Sequence, residues 1–390
     1  MDFPTDGECN RFFELVEDLD ILPDSGISTA LEELLGVEAP IVVDLLRIHY
    51  SHDEDPRIEL EAGMRLANRY TIIKKLGSGG MGIVYRAKQD RVERDVALKV
   101  IHPNLVAPRL VDRFLKEFVA LGKLEHSNLV RIYDADIHTP EDRDRPGILF
   151  YTMQLVDGKP IHQYVREKQL PIGGILKLLI KTCQAVHEAH EKRVIHRDLK
   201  PGNVLITSGG EPIILDFGLA ALAGEFIGWE EQGISGLSGT PLYMAPEQYH
   251  GSAGVFGDGQ STDIYALGVI SFELLTGVSP YSFPEDASRA EKGRIVRDAT
   301  PKRISEFLDD SDYLAAKIGK CLRKNPVDRY YTASGFAKAL SRVITRLKPD
   351  QQLMERAWEP DGGKPIPGTE WELESEIARG GMGEVWLAKR

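Results

Sequence analysis

The sequence predicts an α+β fold of two lobes, a small β-rich lobe followed by a large helical one, with a helical extension at the N-terminus. Three observations carry this reading. Between Tyr70 and Ile101 apolar and β-branched residues come in short strand-like runs broken by glycines and charged turns. From Leu105 to about Leu347 the rhythm is mostly helical. Before residue 66, apolar residues recur at helical spacing between Pro- and Gly-containing breaks.

In the extension, residues 1–66, helices are expected around Phe12, Phe13, Leu15, Val16 and Leu19, then Leu31, Leu34 and Leu35, then Val42, Val43, Leu45 and Leu46. Pro23, Asp24 and Gly26 separate the first two, and Gly36–Pro40 the last two. Acidic helices of this size suit either a surface for a regulatory partner or a packing extension of the next domain. The next domain, residues 67–347, opens with strands at Tyr70–Lys75, Ile83–Lys88 and Asp95–Ile101. Residues 348–369 hold Pro349, Pro360, Gly362, Gly363, Pro365, Pro367 and Gly368, a composition for a linker. Residues 370–390 repeat the opening of the domain and read as the start of a truncated second copy of it, its glycine-rich turn only: Trp371–Arg390 aligns with Tyr70–Gln89 at a constant offset, and Gly380-Gly381-Met382-Gly383 restates Gly79-Gly80-Met81-Gly82. Val385, Ala388 and Lys389 restate Val84, Ala87 and Lys88, whereas Ala378 stands where the first copy has Gly77.

Bulk composition bounds the function. A net charge of −12 over 390 residues argues against a nucleic-acid partner, because a phosphate backbone selects a basic face. Cys9, Cys183 and Cys321 lack metal-ligand spacing and suit buried thiols in a reducing compartment. The acidic start Met1–Asp6 has no signal-peptide pattern, and no apolar run reaches the ~20 residues of a membrane helix. The chain as given is expected to be cytoplasmic, with a membrane segment beyond Arg390 left open.

Four motifs carry chemistry. A glycine-rich turn, Gly77-Ser78-Gly79-Gly80-Met81-Gly82, joins two strands. Glycines there let backbone N–H groups approach phosphate oxygens with no Cβ in the way. Alone the pattern is weak, since a plain strand-turn-strand looks alike. A dinucleotide fold is disfavoured because Ile83-Val84-Tyr85 continues as strand where that fold needs a helix. A lysine lies inside the apolar run Val96-Ala97-Leu98-Lys99, which is costly unless anions meet its ammonium. Then come His196-Arg197-Asp198-Leu199-Lys200-Pro201-Gly202-Asn203 and Asp216-Phe217-Gly218.

In this order the four signals resemble the protein kinase catalytic domain over about Ala67–Leu347. The Gly-Met-Gly turn and Met244-Ala245-Pro246-Glu247-Gln248 look most like bacterial members of the eukaryotic-type Ser/Thr kinases. The resemblance implies a bilobal kinase fold and transfer of the ATP γ-phosphoryl group to protein Ser or Thr, with Mg²⁺. Asp198 is then the base that orients the incoming hydroxyl, and Lys200 the cation at the moving phosphoryl group. Asn203 and Asp216 are the hard-oxygen metal ligands. Lys99, fixed by Glu117 with Glu125 as competitor, meets the α- and β-phosphates. The turn from Leu76 through Gly77, Ser78, Gly79, Gly80, Met81 and Gly82 covers the phosphates. Val84 and Ala97 roof the adenine, Leu205 floors it, Met153 is the gatekeeper, and Gln154, Leu155 and Val156 form the hinge.

The resemblance also implies regulation. Arg197 would pair with phosphate on the segment Asp216–Glu247, where Ser235 and Ser238 are candidate phosphosites and Thr240 touches Asp198 and Lys200. Self-modification in trans would need a homodimer. Glu247 should pair with Arg329, and Asp263 should cap the loop backbone from a buried helix. The competing classes are a pseudokinase scaffold, a small-molecule kinase and an adaptor acting through residues 1–66. No matched catalytic position is lost, and the segment Gly239–Glu247 shapes a ledge for peptides.

Overall fold

In the structure, a computed structural model, residues 59–79, 82–101, 118, 122, 126–138, 147–216, 241–250, 259–284, 286–309, 311–347, 372–380 and 383–389 are described. The expected helices of residues 12–46, Glu117, Glu125, Gly80, Met81, Ser235, Ser238, Thr240 and the linker lie outside the described residues, and the expectations for them are left there. The chain divides into two compact units, with Leu155 in the first and Val156 in the second.

The first unit is a six-stranded antiparallel sheet in the order β1-β2-β3-β4-β6-β5. Its strands are β1 (Arg65–Leu66), β2 (Tyr70–Gly79), β3 (Gly82–Gln89), β4 (Arg94–Ile101), β5 (Ile132–His138) and β6 (Ile148–Gln154). Side chains alternate across β3, so Ile83, Tyr85 and Ala87 are buried on one face while Val84, Arg86 and Lys88 lie on the other. The buried face gathers Ile83, Tyr85, Val96, Leu98, Val100 and Phe150 with Tyr70 and Ile72.

Two expectations need correction here. The stretch after Leu105 holds two strands of this sheet, β5 and β6, within its mostly helical rhythm. β6 is buried on both faces from Ile148 to Met153, so it shows no period of two, and a buried strand reads like a buried helix segment. β5 is an edge strand, half-exposed throughout, in which Tyr133, Ala135 and Ile137 alternate with Asp134, Asp136 and His138. The extension also stops short of residue 66. Leu60 and Leu66 are buried in the sheet core, the Leu60 amide donates to the Tyr85 hydroxyl at 2.9 Å, and β1 pairs with β2.

The second unit is helical around α2. Its elements are β7 (Gly158–Pro160), α1 (Ile161–Lys168), α2 (Ile172–Glu191), β8 (Val204–Thr207), β9 (Pro212–Ile214), α3 (Gln260–Thr276), α4 (Arg289–Asp298), α5 (Asp312–Cys321) and α6 (Ala333–Ile344). β7, β8 and β9 form an antiparallel sheet in that order, which pins the β8 end of the loop between α2 and β8. Every residue of α3 from Thr262 to Phe272 is buried, the mark of a helix enclosed on all sides. Gly277 ends it in the left-handed region at φ 75°, where glycine carries no Cβ penalty. Ser288 and Thr332 cap α4 and α6, each accepting from the amide three residues on. Cys183 and Cys321 are buried free thiols, and burial pushes both far above the usual thiol range. Among the described residues no helix is long and apolar enough to cross a membrane. Residues 372–389 make a separate hairpin of β10 (Glu372–Gly380) and β11 (Gly383–Lys389).

Candidate active site

In the second unit, the loop between α2 and β8 brings Asp198, Lys200 and Asn203 together. The Lys200 ammonium donates to Asp198 Oδ2 at 2.8 Å, and the two side chains keep 27% and 16% of their surface exposed, so the pair is neither buried nor free in water. Asn203 Nδ2 donates to the Asp198 carbonyl at 2.9 Å and reaches Oδ2 at 3.5 Å. That bond commits the amide nitrogen and leaves Oδ1, a hard acceptor, for a cation. The Asn203 amide donates to the Lys200 carbonyl at 2.9 Å as Pro201–Asn203 closes into a single 3₁₀ turn. Spacing of five residues is short enough for one turn to present all three groups.

Asp216 is tied to this loop through its neighbour. The Leu215 amide donates to the Asn203 carbonyl at 2.8 Å, and the Leu215 carbonyl accepts from His196 Nε2 at 2.8 Å. The Asp198 amide in turn donates to His196 Nδ1 at 3.3 Å, which fixes the buried imidazole as the Nε2–H tautomer. Upstream, Leu129 and Ile214 form a parallel bridge, and Asn128 Nδ2 donates to the Pro212 carbonyl at 2.7 Å. Arg197 and Asp216 both hold left-handed backbones, φ 63° and 56°. Such conformations cost about 1–3 kcal/mol each and persist only where neighbours over-determine them.

Asp263, in the first turn of α3, does much of that work. Its Oδ2 accepts from the His196 amide at 2.8 Å and from His190 Nε2 at 2.7 Å, and its Oδ1 accepts from the Arg197 amide at 2.8 Å. Burial alone would raise this carboxyl, but the bond and charge of His190, with the His196 contacts, hold it below the usual carboxylate range. Gln248 supplies a further tie: its Oε1 accepts from the Ala245 amide at 2.8 Å and its Nε2 donates to the Arg197 carbonyl at 3.0 Å. Arg329 forks onto Glu247 at 2.6 and 2.7 Å. The expected roles of Asp263 and of the Glu247–Arg329 pair are thus present as geometry. His196 and Gln248 stood inside quoted motifs without a role, because nothing in their spacing signals a contact with Leu215 or Arg197.

In the first unit, strand register puts Val84, Lys99, Ala97 and Met153 on one face of the sheet. Val84 pairs with Lys99, and Ala97 with Met153. Ala97 and Met153 are buried, Val84 is half-buried, and Lys99 is only 5% exposed. Gln154 is exposed, and its amide donates to the Arg131 carbonyl at 2.8 Å. Leu155, Val156 and Leu205 are half-buried. Leu76 is 46% exposed and is the extra residue of a β-bulge between the pairs Lys75↔Tyr85 and Gly77↔Val84. Gly77, Ser78 and Gly79 are exposed in the same hairpin.

Gly82 is the glycine that packing demands. A Cβ there would come within 1.9 Å of the Val100 carbonyl oxygen on β4, and its φ is +144°. Gly82→Ala should therefore force the hairpin off β4, combining an overpacking cost with a backbone cost of about 1–3 kcal/mol each. A denaturant midpoint unchanged from the parent would refute that account of Gly82.

Comparison with known proteins agrees with this geometry. Residues 70–340 match the family described as Protein kinase domain. The serine/threonine-protein kinase Pkn1 of Myxococcus xanthus is 35% identical over 296 residues, 75% of this chain and 40% of Pkn1. The serine/threonine-protein kinase PknB of Mycobacterium leprae is 32% identical over 288 residues, 73% of this chain and 44% of PknB. The chain thus spans about two fifths of the length of these curated relatives. Among solved structures, the Mycobacterium tuberculosis PknI kinase domain superposes with a TM-score of 0.57 at 26% identity, over 74% of this chain and 100% of that domain.

Proposed function

Because the chain belongs to the protein kinase family, we propose that it transfers the γ-phosphoryl group of ATP to Ser and Thr hydroxyls of proteins. The observation that carries this reading is the short loop in which Asp198, Lys200 and Asn203 converge, tied through Leu215 to Asp216.

Phosphoryl transfer asks for positioning and for charges aimed at the phosphates more than for covalent help. Asp198 accepts the proton-bearing side of the incoming hydroxyl and turns its oxygen lone pair toward phosphorus. Lys200, already 2.8 Å from Asp198, is close enough to serve both the carboxylate and the transferring group. Asn203 and Asp216, an amide oxygen and a carboxylate, fit a hard divalent cation, and magnesium bound there supplies neutralisation of the triphosphate. Val84, Ala97 and Met153 offer the apolar face for the adenine ring, and Lys99 on the same face meets the phosphates. Glu117 is the carboxylate we assign to Lys99. Arg197 stands beside Asp198 in the chain, and an arginine there would answer a phosphate on Ser235 or Ser238.

The test is incorporation of labelled γ-phosphate from Mg·ATP into a Ser- and Thr-containing protein, with Lys99→Met as control. We expect phosphoserine or phosphothreonine, a drop of roughly 10²-fold or more in the variant, and phosphate on Ser235 or Ser238 of the active protein alone. Equal labelling of both proteins, or label on tyrosine only, would remove the reading.

A further inference from the structure

The hairpin β10–β11 copies β2–β3 pair by pair. Thr71↔Lys88, Ile72↔Ala87, Lys74↔Arg86 and Lys75↔Tyr85 become Glu372↔Lys389, Leu373↔Ala388, Ser375↔Leu387 and Glu376↔Trp386. Gly77↔Val84, Ser78↔Ile83 and Gly79↔Gly82 become Ala378↔Val385, Arg379↔Glu384 and Gly380↔Gly383. Both bulges recur at the same steps. The register shifts between Ile72 and Lys74 and between Lys75 and Gly77 reappear between Leu373 and Ser375 and between Glu376 and Ala378. A bulge disrupts pairing and re-aims a strand, so a generic hairpin has no reason to carry two at matching positions.

The glycines follow the steric map of the first copy. At Gly77 a Cβ would meet nothing within 4 Å, and the second copy has Ala378 there. At Gly82 a Cβ would strike the Val100 carbonyl of the neighbouring β4, and the second copy keeps Gly383. Among the described residues β11 pairs with β10 alone, so the strand that Gly383 would have to clear is not one of them. A hairpin of two strands is at best marginally stable in water, and a third strand on the β11 edge would relieve that.

We propose that β10–β11 is the phosphate-covering hairpin of a second nucleotide-binding lobe, taking a magnesium-bound nucleoside triphosphate, whose next strand follows Arg390 in the same chain. The inference rests on the reading of β2–β3 as the phosphate cover of the kinase domain. It requires an apolar strand with a lysine spaced from Arg390 as Lys99 is from Gln89.

The test uses protein expressed from its complete reading frame, titrated calorimetrically with a non-hydrolysable ATP analogue and Mg²⁺. We expect two sites per chain. Asp216→Ala should weaken one and Gly383→Val the other, each by roughly tenfold or more. A single site, weakened by Asp216→Ala and untouched by Gly383→Val, overturns the inference and leaves the kinase reading intact. A single site lost in Gly383→Val but indifferent to Asp216→Ala overturns that reading, and with it the ground of the inference. No binding overturns both. Should Gly383→Val merely unfold its own lobe, the parent's site count and the site that survives Asp216→Ala still decide.

Discussion

Asp198→Asn should lower kcat by about 10²–10⁴-fold, the range lost with a positioned general base, and should leave unfolding within about 1 kcal/mol of the parent. The side chain keeps its size, and the bond from Asn203 Nδ2 goes to the Asp198 backbone carbonyl, which the substitution does not touch. What disappears is a carboxylate that can take a proton and a negative partner for Lys200 at 2.8 Å. An amide can still accept from that ammonium, so Lys200 remains near its place with less to oppose its charge. Steady-state rates at saturating Mg·ATP and protein substrate, together with a thermal melt, check both halves. Undiminished kcat would strip Asp198 of its assigned role. A collapsed melt would mean that the residue serves the fold first.

The largest stability effect is expected from Arg329→Met, at about 3–5 kcal/mol, because it strands a carboxylate that is almost wholly enclosed. Arg329 has no exposed side-chain surface and Glu247 only 9%. Besides the fork to Glu247, the guanidinium donates to the carbonyls of Ser261, Arg323 and Lys324 at 2.8, 2.8 and 3.1 Å. It also lies 4.9 Å above the Tyr265 ring on α3. Methionine fills much of the volume and satisfies none of these acceptors. Urea denaturation should show the midpoint falling with an unchanged slope. Adding Glu247→Gln should return part of the loss, since the buried charge goes with it. Were the double variant no more stable than Arg329→Met, the stranded carboxylate would not be the cause.

Much of the loop chemistry was legible because it is written in short spacing. Asp198, Lys200 and Asn203 fall within one turn, and no distant contact is needed to bring them together. The roles of Val84 and Ala97 came from family resemblance, and the register of β3 and β4 puts them on the face of Lys99. What stayed hidden was long-range or without period. β6 lost its alternation because both of its faces are buried. Leu60 and Leu66 looked like the tail of a helical extension, since nothing local tells a residue that Tyr85 will be its neighbour. Gln248 meets Arg197 across 51 positions. The Glu247–Arg329 pair, 82 positions apart, came from family resemblance, not from any pattern in the chain.

The grip of Asp263 on two successive amides, passed on by His196 to Leu215, has a bearing on how this protein can vary. The reacting end of the loop inherits its posture from a carboxylate that water scarcely touches. Surface residues are thereby released to drift or to acquire new contacts at little risk to turnover. The opening turn of α3 has no such latitude: a substitution there would disarm the loop from behind, without meeting either nucleotide or acceptor.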